Sequence, residues 1–154
     1  MSYLALKLVH ILSSTLLFGT GLGTAFFMWR AHRGGQPRVI AAVSAEVVRA
    51  DWWFTLPAVV VQPLTGFLMM DLLGYDWHQT WLSLSIALYL LVGACWLPVL
   101  WLQHQMHQMA ARAVAEGTDL PPRYHRFFRI WFSLGWPAFF AVLAIFYLMV
   151  NRPQ

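Results

Sequence analysis

Cysteine and charged residues are both scarce in this chain of 154 residues. The single cysteine, Cys95, excludes a disulfide framework within the chain and any Cys-x-x-Cys metal or haem-attachment motif. Charged residues make up 10% of the sequence, against about 25% in ordinary soluble domains. Hydrophobic residues make up 60%, and the mean hydropathy is +0.59. This composition excludes an ordinary soluble core, so membrane lipid is the first expected partner.

Four long apolar runs predict a single all-α domain covering residues 1–154, built as an integral membrane four-helix bundle. Each run has about the 20 residues that a helix needs to cross the hydrocarbon layer. Helices are required because lipid tolerates no unpaired backbone groups. The expected spans are about 4–29, 52–72, 81–103 and 127–150.

The basic residues are unevenly placed and predict an orientation. Eight arginines lie in the two connections that follow spans one and three, whereas the link after span two holds Asp71 and Asp76 and no lysine or arginine. By the positive-inside rule, the arginine-rich loops are cytoplasmic, and both termini face outward. The net charge of +4 is therefore a topology signal, and no nucleic-acid binding is expected. The arginines are Arg30, Arg33, Arg38, Arg49, Arg112, Arg123, Arg126 and Arg129.

One histidine, His10, lies inside the first span, where an ionisable residue marks a functional site by default. Helical spacing places Lys7, His10, Ser14 and Gly21 on one stripe, which we expect to face the bundle. Pro57 and Pro63 are expected to bend span two. A matching polar stripe of span two consists of Asp51, Thr55, Ala58, Gln62, Thr65 and Met69.

Depth in the membrane limits the partners of His10. A neutral imidazole is a good ligand of haem iron, and histidine or methionine can take the opposite side. His78, Met69 and Met70 lie at a suitable outer depth, so each is a candidate for the second ligand. The alternatives for His10 are a hydrogen bond to a neighbouring helix, proton transfer, or another metal ion. Another metal ion is the less favoured because the outer layer lacks a carboxylate or thiolate cluster.

A second group of histidines flanks the arginine-rich loops, namely His32, His104, His107 and His125. His104 and His107 are three residues apart and so share a helix face. With Met106 and Met109 nearby, they suggest either a second haem or soft-metal site, or a basic surface that faces lipid headgroups.

Three stretches of the sequence resemble the HemJ-type protoporphyrinogen oxidases, which are four-span membrane proteins carrying haem b. The chain is similar also to a related group of bacterial predicted integral membrane proteins. In span three, Trp81-Leu82 is followed by Ser83-Leu84-Ser85 without the lysine of the HemJ-type pattern. The matching stretches are Leu6–His10 with Gly19, Arg30 and His32; Leu56-Pro57-Ala58 with Pro63–Leu68; and Tyr124–Arg129 with Pro137 and Asn151-Arg152-Pro153.

The resemblance implies haem b at His10, a bacterial inner-membrane location and a homo-oligomer. A haem-b electron-transfer protein is the first expectation, with Ser14 beside the ligand and the quinone pool as redox partner. The alternative is the oxidase itself, which acts on a tetrapyrrole, protoporphyrinogen IX; Arg126 and Arg129 would then pair with propionates. A third alternative is a membrane scaffold or transporter subunit without a cofactor.

Overall fold

The fold is all-helical, as the computed structural model of residues 2–76 and 78–152 shows. Within this part of the chain, four continuous helices are long and apolar enough to cross a membrane, which confirms the predicted fold class. The second of the four combines α2, a π-helical turn and α3. The elements are α1 (Tyr3–Gly34), α2 (Pro37–Ala50), the π-helical turn (Asp51–Thr55), α3 (Leu56–Leu73), α4 (Thr80–Glu116) and α5 (Pro122–Asn151).

Two of these continuous helices are much longer than a bilayer is thick. The Pro37–Leu73 helix and α4 have 37 residues each, or about 55 Å at 1.5 Å per residue, against about 30 Å of hydrocarbon. The excess lies where α1 ends, α4 ends and α5 begins. We call this the arginine-rich end, and the other, where α1 starts and α5 finishes, the termini end.

The connection between spans one and two contains Gly34, Gly35 and Pro37, which predict a loop. This prediction is wrong, because the connection is mostly helix. Gly35 has a φ of 69°, so it ends α1 in the left-handed conformation that favours glycine. Pro37 then occupies the first turn of α2, where its missing N–H costs nothing. Ile40, Ser44 and Val47 recur at helical spacing and are buried, and they dock α2 against the bundle.

A hydrophobic core holds the arginine-rich end together. Four of its side chains, Met28, Ile40, Met106 and Tyr124, are fully buried and come from α1, α2, α4 and α5 respectively. Each of these four helices therefore contributes a fully buried side chain to the same cluster. Because this core joins α2 to the other helices, the arginine-rich end is a packed extension of the membrane bundle.

The termini end is closed by a smaller cluster of Met70, Trp81, Leu82 and Leu148. Arg152 follows α5 and donates a hydrogen bond of 2.9 Å from Nη1 to the Tyr75 hydroxyl. Its guanidinium also lies 5.8 Å from the centroid of the Trp81 ring, within cation–π range. The end of α5 is thereby tied to the link between α3 and α4.

Pro63 creates a backbone problem that a neighbouring helix solves. Proline has no N–H, so Pro63 leaves the carbonyl of Val59, four residues earlier, without its helical donor. The Tyr89 hydroxyl of α4 donates to that carbonyl at 2.6 Å. A freed carbonyl inside a membrane is tolerated where a neighbour satisfies it, so this bond makes Pro63 compatible with a spanning helix.

We expect Tyr89→Phe to destabilise the protein by about 0.6–1.7 kcal/mol, the range measured for hydrogen bonds between membrane helices. In a Pro63→Ala background the same change should cost much less, because the alanine introduced there has an N–H that can serve the Val59 carbonyl. A double-mutant cycle on unfolding in mixed micelles measures the coupling. Equal costs of Tyr89→Phe in both backgrounds would show that the hydroxyl does not replace the missing N–H.

Candidate functional site

His10 is held against α3 by hydrogen bonds at both ring nitrogens. Its Nδ1 lies 2.9 Å from the Thr65 hydroxyl, and its Nε2 lies 3.0 Å from the side-chain nitrogen of Gln62. Ser13, on the next turn of α1, donates to the Gln62 side-chain oxygen. The four side chains form one polar network that joins α1 to α3. The structure therefore shows His10 in a hydrogen bond to a neighbouring helix, whereas its role as a ligand stays a prediction.

The network fixes which ring nitrogen carries the proton. Because Gln62 accepts from Ser13 through its oxygen, its NH₂ group faces His10 and can only donate. The imidazole Nε2 is therefore an acceptor, and a neutral ring then has its proton on Nδ1. That N–H donates to Thr65, whose hydroxyl donates in turn to the Val61 carbonyl at 2.8 Å. The Thr65 hydroxyl has one proton and directs it to a carbonyl of its own helix, so it accepts from His10. The Ser13 hydroxyl also lies 3.0 Å from the His10 carbonyl.

Two features of α3 allow the ring to lie so close. His10 is seven residues from the start of α1, and Thr65 is eight residues from the end of α3, so the antiparallel helices bring both to nearly the same depth. Gly66 has no side chain, and a Cβ there would lie 3.4 Å from Cε1 of His10. An alanine would just make contact with the ring, whereas a side chain longer than a methyl group would push the imidazole away from Thr65 and Gln62.

The buried face of α1 is rotated from the predicted stripe. Ser13 is buried, whereas Ser14 is half-buried and its hydroxyl donates to the Ile11 carbonyl of its own helix at 2.8 Å. Lys7 and Gly21 are exposed, so that stripe does not face the bundle as a whole. The predicted stripe on span two agrees better with the structure. Its buried members are Asp51, Thr55, Ala58 and Thr65, and its half-buried members are Gln62 and Met69.

The three candidate second ligands lie in different surroundings. Met69 is half-buried one helical turn beyond Thr65, on the same face of α3. Met70 is buried in the cluster with Trp81, Leu82 and Leu148. His78 is exposed in the link between α3 and α4. The backbone and side-chain hydrogen bonds that Asp76 accepts from His78 hold the pKa of Asp76 below its ordinary value.

The structure does not bring Arg126 and Arg129 near His10. Both arginines are exposed in the first turns of α5, at the arginine-rich end. Phe18 of α1 contacts Phe139 and Phe146 of α5, which sets the relative depth of the two helices. His10 lies two turns further toward the termini end. The two arginines are therefore about 30 Å from His10 along the bundle.

Comparison with known proteins identifies a family to which the chain is similar. The family described as "Predicted integral membrane protein (DUF2269)" matches residues 4–153, nearly the whole chain. The chain belongs to this family. No curated protein and no solved structure matches it. The predicted similarity to a group of integral membrane proteins is confirmed, while the link to the HemJ-type oxidases stays a prediction.

The second set of histidines in this DUF2269 protein is spread over separate contacts. His107 Nδ1 lies 3.1 Å from the buried Ser44 hydroxyl, and His104 Nε2 accepts from Gln108 at 2.9 Å. The His32 ring stacks on the Phe128 ring, with 3.5 Å between their centroids. The centroid of the His125 ring lies 5.7 Å from that of His32. Among residues 2–76 and 78–152, no three His, Cys, Asp or Glu side chains converge as metal ligands would.

Proposed function

We propose that this protein binds haem b through His10 and transfers electrons in the bacterial cytoplasmic membrane. One observation carries the proposal. His10 donates from Nδ1 to Thr65, so its acceptor nitrogen is Nε2, and that nitrogen is held by the side-chain amide of Gln62 alone. Histidines that bind metals commonly donate their other N–H to an oxygen, which fixes the tautomer and orients the ring. Thr65 supplies that oxygen.

The residues around His10 fit an iron ligand after one local change. Rotation of the Gln62 side chain would free Nε2, while Thr65 keeps the imidazole in place. Bound haem supplies a one-electron redox couple, whose potential the protein sets through ligands, hydrogen bonds and burial. Of the candidate second ligands, Met69 shares the α3 face of Thr65 and Gln62, but it lies beyond Thr65, on the Nδ1 side of the ring, so the structure favours none of the three as the partner of iron at Nε2. Lys7, one turn before His10, is the basic residue on α1 placed to meet a propionate.

The remaining parts of the proposal concern location and partners. By the positive-inside rule, the arginines of the arginine-rich end support a cytoplasmic position for that end and an outer position for both termini. His10 then lies in the outer half of the membrane. Quinone is a suitable redox partner because it is apolar and reaches a bundle through lipid. A second copy of the chain is a further proposed partner, since most oligomers are symmetric assemblies of one chain.

A visible spectrum of the purified protein tests haem binding. We expect the protein in neutral detergent to show, or to acquire on addition of hemin, a Soret band that shifts on reduction with dithionite. His10→Ala should lose this band while it keeps its helical circular dichroism. His125→Ala is the matched control, because this exposed histidine lies at the arginine-rich end. A colourless protein that takes up no hemin, or an unchanged band in His10→Ala, would refute the proposal.

Two other functions have specific support. The resemblance to HemJ-type proteins supports protoporphyrinogen IX oxidation, and rescue of a bacterial strain that lacks this oxidase would favour it over electron transfer alone. The occupation of both His10 nitrogens supports a scaffold or transporter subunit, in which the network only joins α1 to α3. That function predicts a lower stability of His10→Ala with no optical change.

A further inference from the structure

A second site lies away from His10, in a cavity between the π-helical turn and α4. Its volume is about 400 Å³, within the range of small-molecule sites. Asp51 and Gln103 supply polar atoms, and Trp52, Trp96 and Trp101 supply much of the apolar wall. Trp52 and Trp101 are more than half exposed, so the cavity opens to the bundle surface. It shares no residue with the His10 network.

Two buried oxygen atoms of residues that line this cavity lack a hydrogen-bond partner. Asp51 and Gln103 are each 4% exposed. The Asp51 Oδ1 accepts from the Thr55 hydroxyl at 2.9 Å, whereas its Oδ2 and Oε1 of Gln103 have no donor. The Gln103 side chain lies within hydrogen-bonding range of the carboxyl group, so its amide NH₂ can serve Asp51 but brings no positive charge. A buried polar atom without a partner is costly. Since both atoms accept, the group that would satisfy them is a donor, and a carboxylate favours a positively charged one.

The protein itself supplies no such cation among the described residues that line the cavity. The lining includes no lysine or arginine, and its histidine, His104, uses Nε2 to accept from Gln108. Arg49, two residues before Asp51, is paired with Glu46 on the exposed side of α2. The carboxylate is held by the Thr55 hydroxyl, and Asp51 begins a π-helical turn, a rare geometry that often occurs at functional sites. A buried charge needs a partner of opposite charge, so the cation that would pair with a charged Asp51 comes from outside the chain.

The aromatic wall narrows the chemistry of the ligand. Tryptophan is the best cation–π partner, and its ring also packs well against an alkyl chain. We propose that this cavity binds a primary alkylammonium group, with its N–H donors directed to Asp51 and Gln103 and its chain between the tryptophans. A free amphipathic amine and the headgroup of phosphatidylethanolamine share this chemistry.

Binding is measured in phosphatidylcholine nanodiscs, with 5-fluorotryptophan as the reporter and decylammonium as the probe. We expect decylammonium to shift the ¹⁹F resonances of Trp52, Trp96 and Trp101, assigned by Trp→Phe variants. Decyltrimethylammonium has no N–H and should bind about tenfold more weakly, and decanol more weakly still. Empty nanodiscs correct for partitioning. Equal shifts from all three probes would show an unspecific apolar cavity and overturn the proposal.

Variants test the two oxygen atoms. Asp51→Asn should weaken decylammonium binding by about tenfold or more, and Gln103→Leu by a smaller factor. Asp76→Asn, which alters an exposed carboxylate in the link after α3, should change nothing. If Asp51→Asn does not fold, Gln103→Leu and the probe series still decide the matter. Unchanged affinity in both variants would overturn the proposal.

A ligand-free explanation makes a distinct prediction. A protonated Asp51 could donate to Gln103 and satisfy both oxygen atoms without a ligand. The infrared spectrum would then contain a protonated-carboxyl band that disappears in Asp51→Asn, together with no amine binding, and this result would refute the site. Nanodiscs containing phosphatidylethanolamine identify the source: competition with decylammonium indicates the lipid headgroup, and full binding despite the lipid indicates a free amine.

Discussion

Gln62→Leu is expected to raise the affinity of the protein for hemin about fivefold, whereas Thr65→Val is expected to lower it by about 10–100-fold. The two residues contact the same imidazole but act in opposite directions. Gln62 occupies Nε2, the nitrogen that iron would need, so its removal abolishes a competing hydrogen bond of about 1 kcal/mol. Thr65 holds the other nitrogen, and loss of such a partner commonly costs 10–100-fold in metal affinity.

The pair separates a haem site from a structural contact. If the network only joins two helices, both variants should lower stability and neither should bind hemin. Hemin titrations followed at the Soret band measure the affinities, and thermal unfolding measures the stability. Thr65→Val should also raise the midpoint potential, because an imidazole that loses its Nδ1 hydrogen bond is less basic and stabilises ferric iron less. Ser83→Ala, an exposed hydroxyl on α4, serves as the control. Weaker hemin binding in Gln62→Leu would contradict the proposed competition.

The membrane spans were predictable because hydrophobicity and length alone determine them. Each predicted span lies inside a helix of the structure. The extension of the bundle was missed because Gly34, Gly35 and Pro37 were interpreted as the start of a loop. In fact they make a short turn between two helices. The helical spacing of Ile40, Ser44 and Val47 was the signal that indicated α2. A search for apolar runs does not detect such an amphipathic helix, because its apolar residues are not consecutive.

The site was predictable in part. His10 was identified because a histidine in a membrane span is rare and costly, and Gln62 and Thr65 were on the predicted stripe of span two. Their contact with His10 was missed because the comparison of depths placed His10 opposite Met69 and Met70, about one helical turn too far toward the termini end. Ser13 was missed because one residue along a helix changes the direction by about 100°, and only the position of α3 decides which serine it meets. The cavity at Asp51 depends on α2 docking beside α4, which the apolar runs do not predict.

Tyr124→Ala is expected to lower the free energy of unfolding by about 3–5 kcal/mol, while Tyr124→Phe is expected to raise it by about 1 kcal/mol. The ring is fully buried in the core of the arginine-rich end, between α1, α2 and α4, so its removal leaves a large cavity. Its hydroxyl is buried and has no hydrogen-bond partner, so the hydroxyl is a cost that phenylalanine avoids.

Unfolding of both variants by sodium dodecyl sulfate in mixed micelles measures these changes, with Tyr147→Phe as the control. Tyr147 is 65% exposed, so the loss of its hydroxyl should alter stability by less than about 0.5 kcal/mol. If Tyr124→Phe instead destabilised the protein, the hydroxyl would have a partner in the folded state, and a buried water between Tyr124 and the unpartnered Nδ1 of His32 would be the first candidate. The sign of this one change therefore determines whether the extension has a dry core or a hydrated one. In a dry core, His32 only packs against Phe128. In a hydrated core, a water molecule would link His32 to Tyr124 by hydrogen bonds, separately from the network at His10.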